Sequence, residues 1–386
     1  MTSRCVVGRW SVLFLCLVVF SLPDRAETSV SGKKTVDNFK EGVIKGIGRL
    51  AEDHYFMLQD DEPEKILYDP RERSFRVNEP LQVSITREQQ LSVRLYSPRA
   101  IRNVSLWIQL EGFPEMFKLA EFDTLPPFIE FCRVLPFLKA DKKYITRSGK
   151  EVIVPGRTHV DGGKVKIEIG CDDDLYRGMI ASECRWKISF GNYSGSNWSR
   201  LLPAHAREAV AISLNMACLF SSVEFIEELS RFRGKLYCDN QKRVIDVDNL
   251  YQRITGLPRL SFGHVIGVNG LAGGTVFGLG EWCYLEHYAD DRNVTRTLFH
   301  EFAHCIGYDH TGNMTYENSL GKGWVTLCGE LYTRMSIEKR LPVYSRRFLN
   351  TRGCRRRYGC DLNVPSEYII EDAGPEGRDS VPDEES

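Results

Sequence analysis

Residues 300–310 read His-Glu-Phe-Ala-His-Cys-Ile-Gly-Tyr-Asp-His, and this stretch decides how the C-terminal half of the chain is interpreted. Residues 295–306 predict an α-helix, because their apolar side chains recur at helical spacing. His300 and His304 are four residues apart, so the helix puts both imidazoles on one face. Gly307 then ends the helix, since glycine readily adopts a left-handed conformation.

The residue types in this stretch are those of a catalytic zinc site. Two imidazoles one helical turn apart can hold a zinc ion at about 2.0–2.1 Å. Glu301 is rotated by roughly 100° around the helix, which puts it beside the ion as a general base for a zinc-bound water. The turn at Gly307 lets His310 return as a third ligand. The stretch therefore predicts one Zn²⁺ held by His300, His304 and His310, with the fourth position open to water.

The motif and the residues after it resemble the metzincin clan of zinc peptidases, whose pattern is HExxHxxGxxH followed by a methionine turn. Met314 is the methionine-turn candidate, and the resemblance implies an apolar floor beneath the zinc there. The Met-x-Tyr order is similar to that of astacins and serralysins, which implies that Tyr316 is an extra ligand or a transition-state donor. The spacing from His310 to Met314 is shorter than in familiar metzincins, and Thr311 replaces the astacin Glu. The subfamily is therefore left open.

The glycine-rich region at 270–288 has two interpretations. Its glycines predict tight turns and bulges between strands, and the aromatic residues 282–287 predict a further strand. The resemblance to metzincins implies that a strand here forms the upper rim of the cleft and binds substrate as an added antiparallel strand. The alternative is a strand of the core sheet without a role in binding.

The chain divides into two halves with different periodicity. Between 70 and 190, apolar and polar residues alternate, which predicts an antiparallel, sandwich-like β-rich domain. A Gly-, Ser- and Asn-rich linker is predicted at 191–199. Residues 200–350 predict a metzincin-like α/β catalytic domain that opens with a long helical segment at 203–233. The predicted class is α+β. The clearest strand runs are Leu81–Val83–Ile85, Leu91–Val93–Leu95, Val104–Leu110, Val165–Ile169 and Trp186–Phe190.

The N-terminus of the chain carries features of an exported protein, and the C-terminus carries an acidic tail. Residues 1–26 combine basic residues with a short apolar run, which predicts a signal peptide; the alternative is an uncleaved membrane anchor. A polar N-terminal segment, 27–69, follows, with a short helix predicted at 39–50. Residues 351–370 are predicted to contain a disulfide, and residues 371–386 form an acidic tail predicted to be disordered. No later segment is apolar enough to span a membrane.

Cysteine and asparagine patterns also favour the secretory pathway. Two of the twelve cysteines lie in residues 1–26, and the remaining ten show no CxxC pair, which predicts disulfides rather than zinc ribbons. The local candidates are Cys171 with Cys184, Cys218 with Cys238, and Cys354 with Cys360. Five glycosylation sequons predict a glycoprotein in a eukaryotic host; they lie at Asn103, Asn192, Asn197, Asn293 and Asn313.

Charge balance narrows the functional classes. Lys and Arg number 51 against 52 Asp and Glu, so the basic excess of a nucleic-acid-binding protein is missing.

The sequence predicts a secreted zinc endopeptidase that hydrolyses peptide bonds in a protein or peptide, with Glu301 activating the water. One alternative is a secreted binding or adhesion protein with a vestigial zinc site. Another is a gluzincin-type peptidase with Glu317 or Glu330 as the third ligand.

Overall fold

The computed structural model describes residues 39–47, 56–240, 242–288, 292–317 and 322–350. Several predictions fall outside those ranges: the signal peptide at 1–26, the segment 351–370, the tail 371–386 and the pair Cys354–Cys360. Within the range 292–317, the side chain of Asn293 is not described.

The chain folds into helices and several separate β-sheets, which confirms the predicted α+β class. The helices are α1 (Glu64–Leu67), α2 (Asp174–Ile180), α3 (Pro203–Phe220), α4 (Val223–Arg231), α5 (Val247–Thr255), α6 (Glu281–Glu286), α7 (Arg292–Cys305), α8 (Trp324–Ile337) and α9 (Arg347–Asn350). The strands are β1 (Ile44–Lys45), β2 (Ser74–Arg76), β3 (Leu81–Ile85), β4 (Gln90–Leu95), β5 (Ile101–Gln109), β6 (Phe117–Leu125), β7 (Glu130–Val134), β8 (Lys142–Ile145), β9 (Glu151–Val154), β10 (Lys166–Cys171), β11 (Lys187–Phe190), β12 (Trp198–Ser199), β13 (Tyr237–Cys238), β14 (Arg243–Val244), β15 (Arg259–Val265), β16 (Gly270–Gly273) and β17 (Val276–Gly280).

Three small sheets make up most of the N-terminal half. Their orders are β1-β6-β5-β10, β3-β4-β7 and β8-β9, and all pairs are antiparallel except β1 with β6. The predicted alternation is visible in β4, where Leu91, Val93 and Leu95 are fully buried and the residues between them are partly exposed. Strand β4 therefore turns one apolar face to the core.

The sheet beside the candidate site joins distant parts of the chain. Its order is β16-β17-β15-β11-β2, with β12 also paired to β15. The central strands β11, β15 and β17 are parallel, while β2 and β16 are antiparallel to their neighbours at the two ends of this order. Strands from both sides of the predicted linker at 191–199 thus share one sheet, and β12 lies within that linker. The domain boundaries themselves stay predictions.

Helix α7, which carries the histidine motif, is anchored by a buried aromatic cluster. Phe302 of α7 packs against Trp186 and Phe220, with ring centroids 5.2 and 5.1 Å away. Trp324 at the start of α8 stacks on Phe220 and donates an indole hydrogen bond to the backbone oxygen of Phe299 at 3.0 Å. Because each of these side chains is almost fully buried, the orientation of α7 about its own axis is set by packing.

Some local predictions are wrong. Residues 282–287 belong mainly to α6 rather than to a strand, because Cys283, Tyr284 and His287 are buried with helical rather than alternating spacing. The described part of 39–50 has no helix; residues 44 and 45 pair instead with β6. The helical segment 203–233 is broken into α3 and α4 at Ser222, whose hydroxyl caps α4 by accepting from the Phe225 N–H.

The cysteine prediction also needs correction. All eight cysteines in the described part of the chain are free thiols, so the pairs Cys171–Cys184 and Cys218–Cys238 do not form. Cys171 donates to the backbone oxygen of Arg102 at 3.2 Å, and Cys238 accepts from Arg243 Nε at 3.2 Å. These two thiols thus hydrogen-bond to other groups, and Cys184 is fully buried.

No single helix in the described ranges has both the length and the apolar character needed to cross a membrane. Helices α3 and α4 meet those two criteria only when they are taken together, and the pair is bent by 63°.

Candidate metal centre

Helix α7 delivers two of the three predicted metal ligands to an open cleft of about 1060 Å³. His300 and His304 lie one helical turn apart on the face of α7 that borders this cleft, as predicted from their spacing. His310 lines the same cleft from the turn that follows the helix. The three histidines form a cluster with ligand atoms within 4.8 Å of one another.

The geometry of the three imidazoles fits a single small cation. The Nε2 atoms of His300, His304 and His310 form a triangle with all three sides equal to 3.2 Å. Nitrogen ligands at 2.0–2.1 Å in a tetrahedral arrangement lie about 3.3–3.4 Å apart. The donor set and the spacing therefore fit zinc, and a tetrahedral ion there has one position left for water or substrate.

Backbone carbonyls fix the tautomers of the two helical histidines. His300 Nδ1 lies 2.8 Å from the backbone oxygen of Thr315, and His304 Nδ1 lies 2.7 Å from that of Tyr308. A carbonyl oxygen can only accept, so each Nδ1 carries the proton and each Nε2 presents a lone pair to the centre of the cluster. Burial also lowers the pKa of both histidines, which favours the neutral form that binds metals.

Gly307 produces the reversal that returns His310 to the cluster. Its φ is +84°, in the left-handed region, and its N–H donates to the His304 carbonyl at 3.0 Å. A Cβ at this position would lie 2.6 Å from Arg253 Nη2, which bonds the Ile306 carbonyl at the end of the helix. The left-handed conformation therefore favours glycine, whereas Arg253 Nη2 is the end of a flexible side chain that can shift.

Glu301 lines the same cleft as the three histidines. It faces β16, and 6% of its surface is exposed. Burial raises the pKa of Glu301 to about 7, and a backbone hydrogen bond from Ala272 partly offsets that effect. Its carboxylate is not among the ligand atoms of the cluster, in agreement with the position expected of a base beside the ion.

The turn at 312–316 brings Tyr316 next to the histidines and buries Met314. The Tyr316 ring centroid is 4.5 Å from that of His300 and 5.3 Å from that of His310, and 59% of the residue is exposed. Met314 is 1% exposed and belongs to the hydrophobic core. The next residue, Thr315, supplies the carbonyl that holds His300.

Asn313 stabilises this turn through hydrogen bonds of its side chain and backbone. Its amide group accepts from the Tyr237 N–H and donates to the Lys235 carbonyl, both at 2.8 Å, and its own carbonyl accepts from the Trp324 N–H at 3.0 Å. Because Asn313 is fully buried, the sequon there cannot carry a glycan in this fold, whereas Asn103 and Asn192 are exposed. The sequence pattern that predicted a modification marks instead a structural amide.

The two glutamates of the alternative ligand set have other partners. Glu317 pairs with Arg296 at 3.0 Å, and Glu330 pairs with Lys322 at 2.9 Å. Neither belongs to the histidine cluster. Both lie around a neighbouring pocket of about 310 Å³, which Arg296 and Glu317 separate from the main cleft.

One wall of the cleft is a strand edge that sequence reasoning only partly identified. Residues 267–272, at the start of the glycine-rich hairpin, line the cleft opposite α7. In the described chain β16 pairs with β17 on one side and has no strand on the other. Val268 and Leu271 expose 39% and 42% of their surface along this edge. The cleft is thus bordered by a strand with no strand neighbour on its cleft side in the described chain and by exposed apolar side chains.

Comparison of the chain with protein-family models, with curated proteins and with solved structures gave no match. The class of site is therefore defined by its own geometry: three convergent imidazoles, a buried carboxylate beside them and a strand edge across the cleft.

Proposed function

We propose that the protein is a zinc-dependent endopeptidase, of the metzincin type that its motif resembles. The observation that carries the proposal is the triangle of Nε2 atoms of His300, His304 and His310, with Glu301 in the same cleft. When bound there, zinc would polarise a scissile carbonyl and lower the pKa of a water molecule. The proposed setting is extracellular or in the secretory lumen, which rests on the export features of residues 1–26.

Individual residues of the chain have separate roles around such an ion. Glu301 accepts a proton from the attacking water and passes it to the leaving amine. Tyr316 donates a hydrogen bond to the oxygen on which negative charge develops. The carbonyls of Thr315 and Tyr308 keep His300 and His304 in the tautomer that binds metal.

The proposed substrate is an extended segment of a protein or peptide. Its backbone pairs along the open side of β16, because a strand with no neighbour on one side can receive an added strand there. The exposed apolar side chains of Val268 and Leu271 favour apolar neighbours of the scissile bond. The open shape of the cleft suits cleavage within a chain.

Hydrolysis by the wild-type protein tests this function directly. We expect the protein to cleave an unfolded substrate such as reduced, alkylated casein. A zinc chelator such as 1,10-phenanthroline should abolish cleavage, and about one equivalent of Zn²⁺ per chain should restore it. Binding of zinc without any cleavage would favour the vestigial, adhesion-type alternative, and cleavage that persists in the chelator would contradict a zinc mechanism.

A further inference from the structure

The side chain of Glu301 lies directly against the backbone of Gly270 in β16. The three heavy atoms nearest to an ideal Cβ built on Gly270 are Cγ, Cδ and Oε1 of Glu301, and the distance to Cδ would be 2.6 Å. Real Cβ atoms essentially never come within 3.0 Å of a heavy atom of a residue that is not their own or a chain neighbour. The space that a side chain at position 270 would need is therefore occupied by the glutamate.

We propose that Gly270 is a positioning residue for catalysis: its missing side chain forms the niche that holds the Glu301 carboxylate against β16. The inference rests on the proposed function, since it concerns the general base. It adds a second role for β16, which positions the base from one side while its edge faces the substrate.

The contact reaches the inner part of the glutamate side chain. Because Cγ is among the overlapping atoms, rotation of the terminal carboxylate alone cannot relieve a clash with a methyl group at position 270. The inner torsions of Glu301 must change, or β16 must move away from α7. Either response shifts the carboxylate relative to the three histidines, and a misplacement of about 1 Å can cost on the order of a hundredfold in rate.

Two features distinguish the proposed steric role of Gly270 from a requirement for the backbone flexibility of glycine. Gly270 does not have a left-handed φ, so alanine is compatible with its backbone conformation. Gly273, at the other end of β16, is also free of such a φ and has open space at its Cβ position. Gly273 lies outside the residues that line the cleft, which makes Gly273→Ala a matched control.

The test is a double-mutant cycle between positions 270 and 301, measured by kinetics and by thermal unfolding. We expect Gly270→Ala to keep its zinc, to lose at least about tenfold in kcat, and to change KM less than kcat. Gly273→Ala should keep both constants. In the Glu301→Ala background, Gly270→Ala should add no loss in kcat, because the displaced group is already gone.

The thermal-unfolding measurement does not depend on hydrolysis. Gly270→Ala should lower the melting temperature in the wild-type background and not in the Glu301→Ala background, where the niche is vacated. Equal decreases in the two backgrounds would overturn the proposed contact whether or not the protein is a peptidase. A kcat for Gly270→Ala within about twofold of wild type would overturn the positioning role alone. Failure of wild-type protein to cleave any substrate would count against the proposed function instead.

Discussion

Glu301→Gln is expected to lower kcat for peptide hydrolysis by at least about a hundredfold, the lower end of the range for loss of a general base. Glutamine keeps the shape of the side chain, so the niche beside Gly270 stays filled. It cannot accept a proton from water. Zinc content should not change, because the ligand atoms of the cluster all belong to histidines. The measurement is kcat and bound zinc on the same purified sample.

Glu330→Gln is the matched control for this experiment. Glu330 lies around the adjacent pocket and pairs with Lys322, and it is one of the two carboxylates that a gluzincin arrangement could recruit. The control should retain wild-type kcat and zinc. If Glu301→Gln hydrolysed at the wild-type rate, the base would lie elsewhere and the assignment of Glu301 would be wrong.

Tyr316→Phe is expected to lower kcat by about 10²–10³-fold, the cost of losing one donor to a developing oxyanion. Phenylalanine preserves the ring contacts with His300 and His310, so zinc content and melting temperature should barely change. The side chain is largely exposed, which leaves the hydroxyl free to reach a substrate in the cleft. The three quantities to measure are kcat, bound zinc and melting temperature.

Tyr237→Phe controls for removal of a phenol near the same turn. The Tyr237 hydroxyl donates to the Gly234 carbonyl at 2.8 Å, away from the cleft residues, so this variant should retain kcat. A kcat for Tyr316→Phe within about twofold of wild type corresponds to only about 0.4 kcal/mol. That result would remove Tyr316 from the catalytic residues.

The parts of the site set by local spacing could be predicted from the sequence. Helical periodicity puts His300 and His304 on one face, and a glycine three residues later supplies the reversal that returns His310. The structure has both features, with Gly307 at a φ of +84°. Such predictions succeed because the interacting residues lie within eleven positions of one another, where backbone geometry alone decides their arrangement.

The parts of the site that depend on long-range contacts could not be predicted. Nothing in the local sequence indicates that Gly270 meets Glu301, since β16 and α7 are brought together only by the packing of the sheet against the helix. Asn313 has the pattern of a glycosylation site, but its amide is buried against Lys235 and Tyr237. An asparagine in this sequence pattern can be a glycosylation site or a buried structural amide. Only its burial in the folded protein distinguishes the two roles.

The prediction of secondary structure around the site failed where the local propensity and the tertiary packing favour different structures. Residues 282–287 are aromatic and follow a strand, which favours another strand. In the structure Gly280 ends β17 and the chain turns into α6, because the buried side chains are those at helical spacing. Tertiary burial thus overrides the local preference for a strand.

The most direct test of the central claim is to locate the metal itself. Crystals of protein purified without chelators or reducing agents should be measured on both sides of the zinc absorption edge. We expect one anomalous peak per chain, about 2.0–2.1 Å from Nε2 of His300, His304 and His310. No zinc peak in the cleft, or a zinc bound by Glu317 or Glu330 in place of His310, would contradict it.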